Sequence, residues 1–325
     1  MTARTVKSIV KKWFTPVYMI VVAVFIGWFF YKTRASLFAY LHNFNVAFLL
    51  AAFIFQIGFY LFQALAFIRI QSRNASIDPK SVSFINWFYG YIYGLMGHYI
   101  PGKVSVVLGR IVALSPFGIA KEAVVLCIFY ETLITVAIAL AMSLPLIFIV
   151  DVAGLGQHYL RIALAVLIFA ALMAFVFTPL FKKSVFTVLK LFKIPLPDHG
   201  VFLNHKTMLG AVSLYVVSYI FMMLAFYCFC RSITVLGCDA KTFYTVGASM
   251  VFSGAVGLIA LFAPSGLGVR EAGIVYFTAV ATSLIPMEIA LLIAVCYRFL
   301  TTIVEIAMFI VTAWAYKHTQ KNSYM

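Results

Sequence analysis

Carboxylates are scarce in this chain: Asp and Glu together number 9, against 24 Lys and Arg, in 325 residues. Charged residues of either sign make up only 10% of the total, while 65% are hydrophobic and 17% aromatic. Those proportions exclude a soluble domain with an ordinary charged surface. Cysteine is sparse as well. Cys127, Cys228, Cys230, Cys238 and Cys296 are odd in number, lie mostly inside hydrophobic runs and form no CxxC pair or His-flanked cluster at metal-ligand spacing. Neither a disulfide framework nor a metal site is expected. A Walker motif, HExxH, GxSxG and a His/Asp cluster are all missing, so the sequence reads as neither an enzyme nor a cofactor-binding protein. Strand-like alternation is absent too, which favours helices over a barrel as the membrane-spanning element.

What the sequence has is long apolar runs, and a run of about 20 residues crosses a bilayer as a helix. Full spans are predicted at Pro16–Tyr31, Val46–Ile70, Ala123–Ile149, Leu160–Phe181, Leu209–Cys230 and Met287–Tyr316. The basic residues Arg4, Lys7, Lys11 and Lys12 precede the first run, which lacks a small-residue cleavage site, so it reads as an uncleaved span and not a signal peptide. The formal charge of +15 follows from basic residues at the ends of spans and needs no nucleic-acid partner.

Two intervals depart from this pattern. Val82–Leu114 is interrupted by "GHYIPGK" and Thr242–Val280 by "APSGLGVRE", so each reads as two short helices meeting at a break. Lys and Arg cluster at the N-terminus, at Arg69, Arg73 and Lys80, at Lys182, Lys183, Lys190, Lys193 and Lys206, and at Lys317 and Lys321; Lys32, Arg34, Arg161, Arg231 and Lys241 fall on the other side. The positive-inside bias then places both termini in the cytoplasm, and the setting suits a prokaryotic cytoplasmic membrane. With that orientation the first broken interval begins and ends inside and the second begins and ends outside. The expected fold is an all-α polytopic membrane protein, with six full transmembrane helices plus two oppositely oriented re-entrant hairpins. They form a single integral membrane domain, residues 1–325, built as an inverted repeat of residues 13–150 and 160–316.

Four cations remain at membrane depth: Lys103, Arg110, Arg270 and Arg298. A cation in hydrocarbon needs water, an anion or a partner carboxylate, and Glu131, Glu271 and Glu305 are available. A single Pro-Gly break is ordinarily a kink. Two at matching positions, both with cations, point to a site. Unwound backbone, helix N-termini and Lys or Arg together suit an anion, phosphate in particular. "FYETLIT" and "CYRFLTT" occupy matching places after the breaks, which puts Glu131 and Arg298 at equivalent positions and predicts a salt bridge between them, as a staple or as part of a transport path. Arg298 and Glu305 share one helix face as members of a polar seam. Asn86, Gln56 and the Ser and Thr residues inside spans read as interhelical hydrogen-bonding groups, and His98 beside the first break is assigned no proton.

"APSGLGVREAG" resembles the Pro-x-Gly-x-Gly-x-Arg-Glu-Ala motif of the lysylphosphatidylglycerol synthase transmembrane-region family, flippase-like integral membrane proteins. "IPGKVSVVLGR" resembles the first-half motif of the branch with Pro-Gly-Lys and a later Gly-Arg, and "YRFLTT" its late Tyr-Arg motif. The resemblance covers essentially the whole chain. It implies that Pro264, Gly266, Gly268, Arg270 and Glu271 form one break and Pro101, Gly102, Lys103, Gly109 and Arg110 its counterpart. Where many relatives carry Gly-Glu after the first Pro-Gly, this chain has Ser105-Val106, so the first hairpin lacks that carboxylate. Little sequence follows the last span, and a soluble aminoacyl-transferase domain is not expected within it. The resemblance implies a flippase or lipid-linked-intermediate transporter. An anionic head group would contact Lys103, Arg110, Arg270 and Arg298, with the prolines, glycines and Glu131, Glu271 and Glu305 shaping or gating the path. The alternative is an accessory membrane subunit that positions a glycosyltransferase or lipid-modifying partner.

Overall fold

The computed structural model describes residues 31, 44–74, 82–99, 104–146, 163, 167, 171, 183, 187, 204–259, 266 and 268–323. Eight α-helices make up this part of the chain. They are α1 (Val46–Asn74), α2 (Phe84–Met96), α3 (Val104–Leu114), α4 (Lys121–Ser143), α5 (His205–Ile233), α6 (Ala240–Ile259), α7 (Val269–Val275) and α8 (Met287–Ser323). Helices α1, α4, α5 and α8 contain segments long and apolar enough to cross a membrane. They match four of the six spans expected from sequence; the spans at Pro16–Tyr31 and Leu160–Phe181 lie outside the described residues, Tyr31, Leu167 and a few isolated positions apart.

Local chemistry sets the helix ends. Asn45 precedes α1 and its side chain accepts from the backbone N–H of Ala47 at 3.0 Å; Asn204 caps α5 by accepting from Thr207 N–H at 2.7 Å. Asp239 caps α6 by accepting from both the backbone N–H and the hydroxyl of Thr242. Those bonds hold the Asp239 carboxyl below its ordinary value. The charged cap is therefore in place at neutral pH and is lost only as pH falls through that lowered value. After α3, the turn Ser115–Phe117 carries Pro116 and ends on Gly118 in the left-handed conformation, which reverses the chain into α4.

Apolar side chains lie on the outer faces of the helices as well as in the core. Val46, Leu50, Ile54, Ile57 and Leu61 form an exposed apolar stripe along α1, and Phe299, Ile303, Ile306, Ile310 and Trp314 form another along α8. Gln56, Gln63, Ser218 and Glu305 are buried. In lipid, association comes from close packing and interhelical hydrogen bonds, since lipid tails are as apolar as leucine. Gln63 donates to Ser218 Oγ at 3.0 Å and joins α1 to α5; Tyr297 donates to Gln56 Oε1 at 2.6 Å and joins α8 to α1.

Helices α1 and α5 run antiparallel along most of their length. Asn45 N–H donates to Ser232 O at 2.9 Å at one end, and Arg69 donates to the carbonyls of Lys206 and Thr207 at the other. Helices α2 and α3 pack against each other, and the short turn Gly97–Tyr99 follows α2. Close approach there depends on missing side chains: a Cβ on Gly94 would overlap Cγ of Arg110, and one on Gly109 would lie 3.2 Å from Gly94 Cα. Helices α6 and α7 pair in the same way, with Gly273 opposite Ser253. Gly94→Ala is expected to cost about 1–3 kcal/mol through overpacking, read as a lower melting temperature in detergent. Gly254→Ala, with no atom of the described residues within 4 Å of its new methyl, should stay within about 0.5 kcal/mol of wild type.

Candidate substrate site

Each short helical pair brings a charged residue against the span that follows it. Arg110 on α3 is buried and donates from Nη1 and Nη2 to the two carboxylate oxygens of Glu131 on α4. Its guanidinium also lies over the rings of Phe67, 4.7 Å from the centroid, and Tyr91, at 5.0 Å. A planar cation stacked on aromatic faces and paired with a carboxylate is compensated internally. In the second half the polarity is reversed. Glu271 on α7 accepts from Arg298 Nη1 on α8 at 3.0 Å. Its other oxygen accepts from Gly268 N–H at 2.6 Å, closing the N-terminus of α7.

The expected bridge between Glu131 and Arg298 is therefore replaced by two bridges, each within one half. The reason is local: α4 packs beside α3 and α8 beside α7, so the nearest counter-charge for each span comes from the helical arm just before it. Matching "FYETLIT" with "CYRFLTT" picked out both residues, but each pairs with a different partner.

Arg270 differs from its neighbours. Among the described residues it makes no ion pair; its one hydrogen bond runs from Nη2 to the thioether sulfur of Met250 at 3.5 Å. It interacts unfavourably with Arg298 and favourably with Glu271, Tyr60 and Tyr297. Glu271 is thus bonded by Arg298 and by Gly268 N–H, and not by Arg270. The backbone leading to it is unusual. Gly266 and Gly268 have φ of 67° and 81°, and a Cβ on Gly266 would lie 2.7 Å from Gly257 Cα. Both conformation and space demand glycine at position 266. Gly266→Ala is expected to destabilise the protein by about 1–3 kcal/mol and to disturb the approach to Arg270, read by melting temperature and by lipid retention.

Glu305, expected to share a polar seam with Arg298, is buried on the same helix but has separate partners. It accepts the hydroxyl proton of Tyr60 at Oε1, and Oε2 lies 3.6 Å from Nε2 of His98. Pro101, Gly102, Lys103 and Pro264 lie outside the described residues. Met250, Tyr60 and the pairing of His98 were not singled out from the sequence, and Tyr297 only as part of the Tyr-Arg motif. Tyr60 stands one turn from both Gln56 and Gln63 on α1, a spacing that marks one face of the helix.

Breaks, cations and long apolar helices of this kind meet their counterpart in a family comparison. The model of the lysylphosphatidylglycerol synthase TM region matches residues 17–308. The chain belongs to that family. No curated protein matches it. Membership of the lysylphosphatidylglycerol synthase TM-region family, together with four helices of spanning length, makes this a multi-pass membrane protein. The match is to the membrane region of the synthases, so it carries with it no aminoacyl-transfer chemistry.

Proposed function

We propose that this protein is a lipid flippase, not an enzyme, which moves an anionic phospholipid or lipid-linked sugar intermediate between the leaflets of a prokaryotic cytoplasmic membrane. Residues 13–150 and 160–316 act as inverted halves, and α2–α3 and α6–α7 as re-entrant hairpins of opposite sense, with both termini in the cytoplasm. The head group docks at Arg270, with Lys103 contributing charge, while acyl or prenyl tails stay in lipid. Arg110 and Arg298 hold the hairpins to their spans through Glu131 and Glu271. The observation that carries the reading is Arg270, a cation at the glycine-rich break with no ion pair among the described residues. Two further features support it: the antiparallel course of α1 and α5, and the reversed polarity of the two hairpin-to-span bridges.

The test uses purified protein reconstituted alone into vesicles containing fluorescent phosphatidylglycerol, with a membrane-impermeant quencher reporting the outer leaflet. Protein-dependent movement of the probe supports the flippase and removes the accessory-subunit alternative, since no glycosyltransferase or other partner is present. No movement of any of several anionic lipid probes, with folded protein in the vesicles, shifts the reading to that subunit.

A further inference from the structure

The ion pairs Arg110–Glu131 and Arg298–Glu271 each stay within one half, but a third polar contact crosses between halves. His98 sits in the turn Gly97–Tyr99, at the tip of the α2–α3 pair, and Glu305 sits on α8. The imidazole Nδ1 lies 2.6 Å from the carbonyl oxygen of Leu95. A carbonyl only accepts, so Nδ1 carries the hydrogen and donates it. The exchangeable nitrogen is then Nε2, which faces Glu305 Oε2 at 3.6 Å. With a proton on Nε2 the contact is an imidazolium–carboxylate pair. Without it, a nitrogen lone pair faces an anionic oxygen in a largely apolar setting.

We infer that His98 and Glu305 form a proton-binding site that latches the tip of the first hairpin to α8, and that the proton is the ion coupled to lipid movement. The inference rests on the flippase reading for the second part and on geometry alone for the first. The surroundings fit a latch. Glu305 is fixed at its other oxygen by the Tyr60 hydroxyl from α1, and its side chain is 7% exposed, whereas that of His98 is 28% exposed. Tyr91 of α2 also faces Glu305 electrostatically, as well as Glu131 and Arg110, and Arg270 of α7 acts on Tyr60. Arg110 on α3, the helix packed against the hairpin turn, is committed to Glu131. Arg298, on the same helix as Glu305, is paired with Glu271. Below the tip, the hairpin stays on α8 whatever the state of the latch, because Tyr89 stacks on Tyr316 at 4.4 Å and Tyr93 packs against Phe309.

Release of the latch thus frees the turn Gly97–Tyr99 from α8 while the contacts of Tyr89 and Tyr93 remain. Imidazole is the side chain that ordinarily gains and loses a proton near neutral pH. A singly anionic head group at Arg270 and one proton on the dyad carry opposite charges, so moving them together transfers no net charge across the membrane potential.

The experiment is amide hydrogen exchange of the full chain in detergent, followed at Leu95–Tyr99 and corrected for intrinsic exchange. Protection in wild type is expected to be about tenfold higher at about pH 5.5 than at about pH 8.5. His98→Gln and Glu305→Gln, each close to the native shape, should reduce that ratio to about twofold or less. Equal protection of wild type at the two pH values overturns the proposal even if neither variant folds. A wild-type response kept in both variants overturns it too. Vesicles with fluorescent phosphatidylglycerol and an imposed pH gradient separate the two readings. Probe movement that ignores the gradient overturns proton coupling and leaves the flippase. An intact exchange response with no probe movement overturns the flippase and leaves the proton site.

Discussion

Arg270→Ala is expected to slow movement of fluorescent phosphatidylglycerol by about 10- to 150-fold, the loss of one charge-assisted hydrogen bond of about 1.5–3 kcal/mol to the head group. The melting temperature should hold or rise slightly. That separation follows from the pairing pattern. Arg270 makes no ion pair among the described residues, and its removal ends a repulsion with Arg298 while Glu271 keeps its bonds to Arg298 and to Gly268 N–H. Arg270→Lys keeps the charge but loses the planar fork that engages two phosphate oxygens at once, so an intermediate rate is expected. Native mass spectrometry of lipids retained in mild detergent gives an independent readout: a phosphate-bearing lipid should be lost from the alanine variant. A collapse of folded protein in Arg270→Ala, with no lipid lost from the folded remainder, would make this residue a structural joint.

Much of this arrangement was legible in the sequence. Hydropathy alone located the helices of spanning length at Val46, Ala123, Leu209 and Met287, because about 20 apolar residues in a row have few other uses. Breaks within Val82–Leu114 and Thr242–Val280 were legible because Pro and Gly interrupt an otherwise apolar run, and Gly266 and Gly268 do take the left-handed backbone that glycine permits. The cations at depth were also visible as anomalies. Their partners were not. Arg110 meets Glu131, and Arg298 meets Glu271, by way of helix packing, and nothing in spacing or periodicity states which helices are neighbours. Tyr60 and Glu305 illustrate the limit, for they are 245 positions apart and meet only because α1 packs against α8. His98 carried no role in the sequence because a lone histidine beside a break takes its meaning from the carbonyl at one nitrogen and the carboxylate at the other.

Arg110→Glu is expected to destabilise the protein by about 3–5 kcal/mol, the cost of leaving a buried carboxylate without its counter-charge, with a second carboxylate added beside it. Glu131→Arg should do the same from the other side. The double variant Arg110→Glu with Glu131→Arg restores opposite charges across the same gap and should recover a large part of that loss. Recovery will be incomplete because Phe67 and Tyr91 present ring faces suited to a guanidinium and not to a carboxylate. The exchange Glu131→Arg with Arg298→Glu distinguishes this pairing from a bridge across the pseudo-two-fold axis. It sets two cations together at Arg110 and two carboxylates together at Glu271, so it should be at least as damaging as either single change. Melting temperature and yield of monodisperse protein in detergent read the series. Rescue by that second exchange, and not by the first, would show that Glu131 pairs with Arg298; rescue by the first alone fixes α3 to α4 through Arg110 and Glu131.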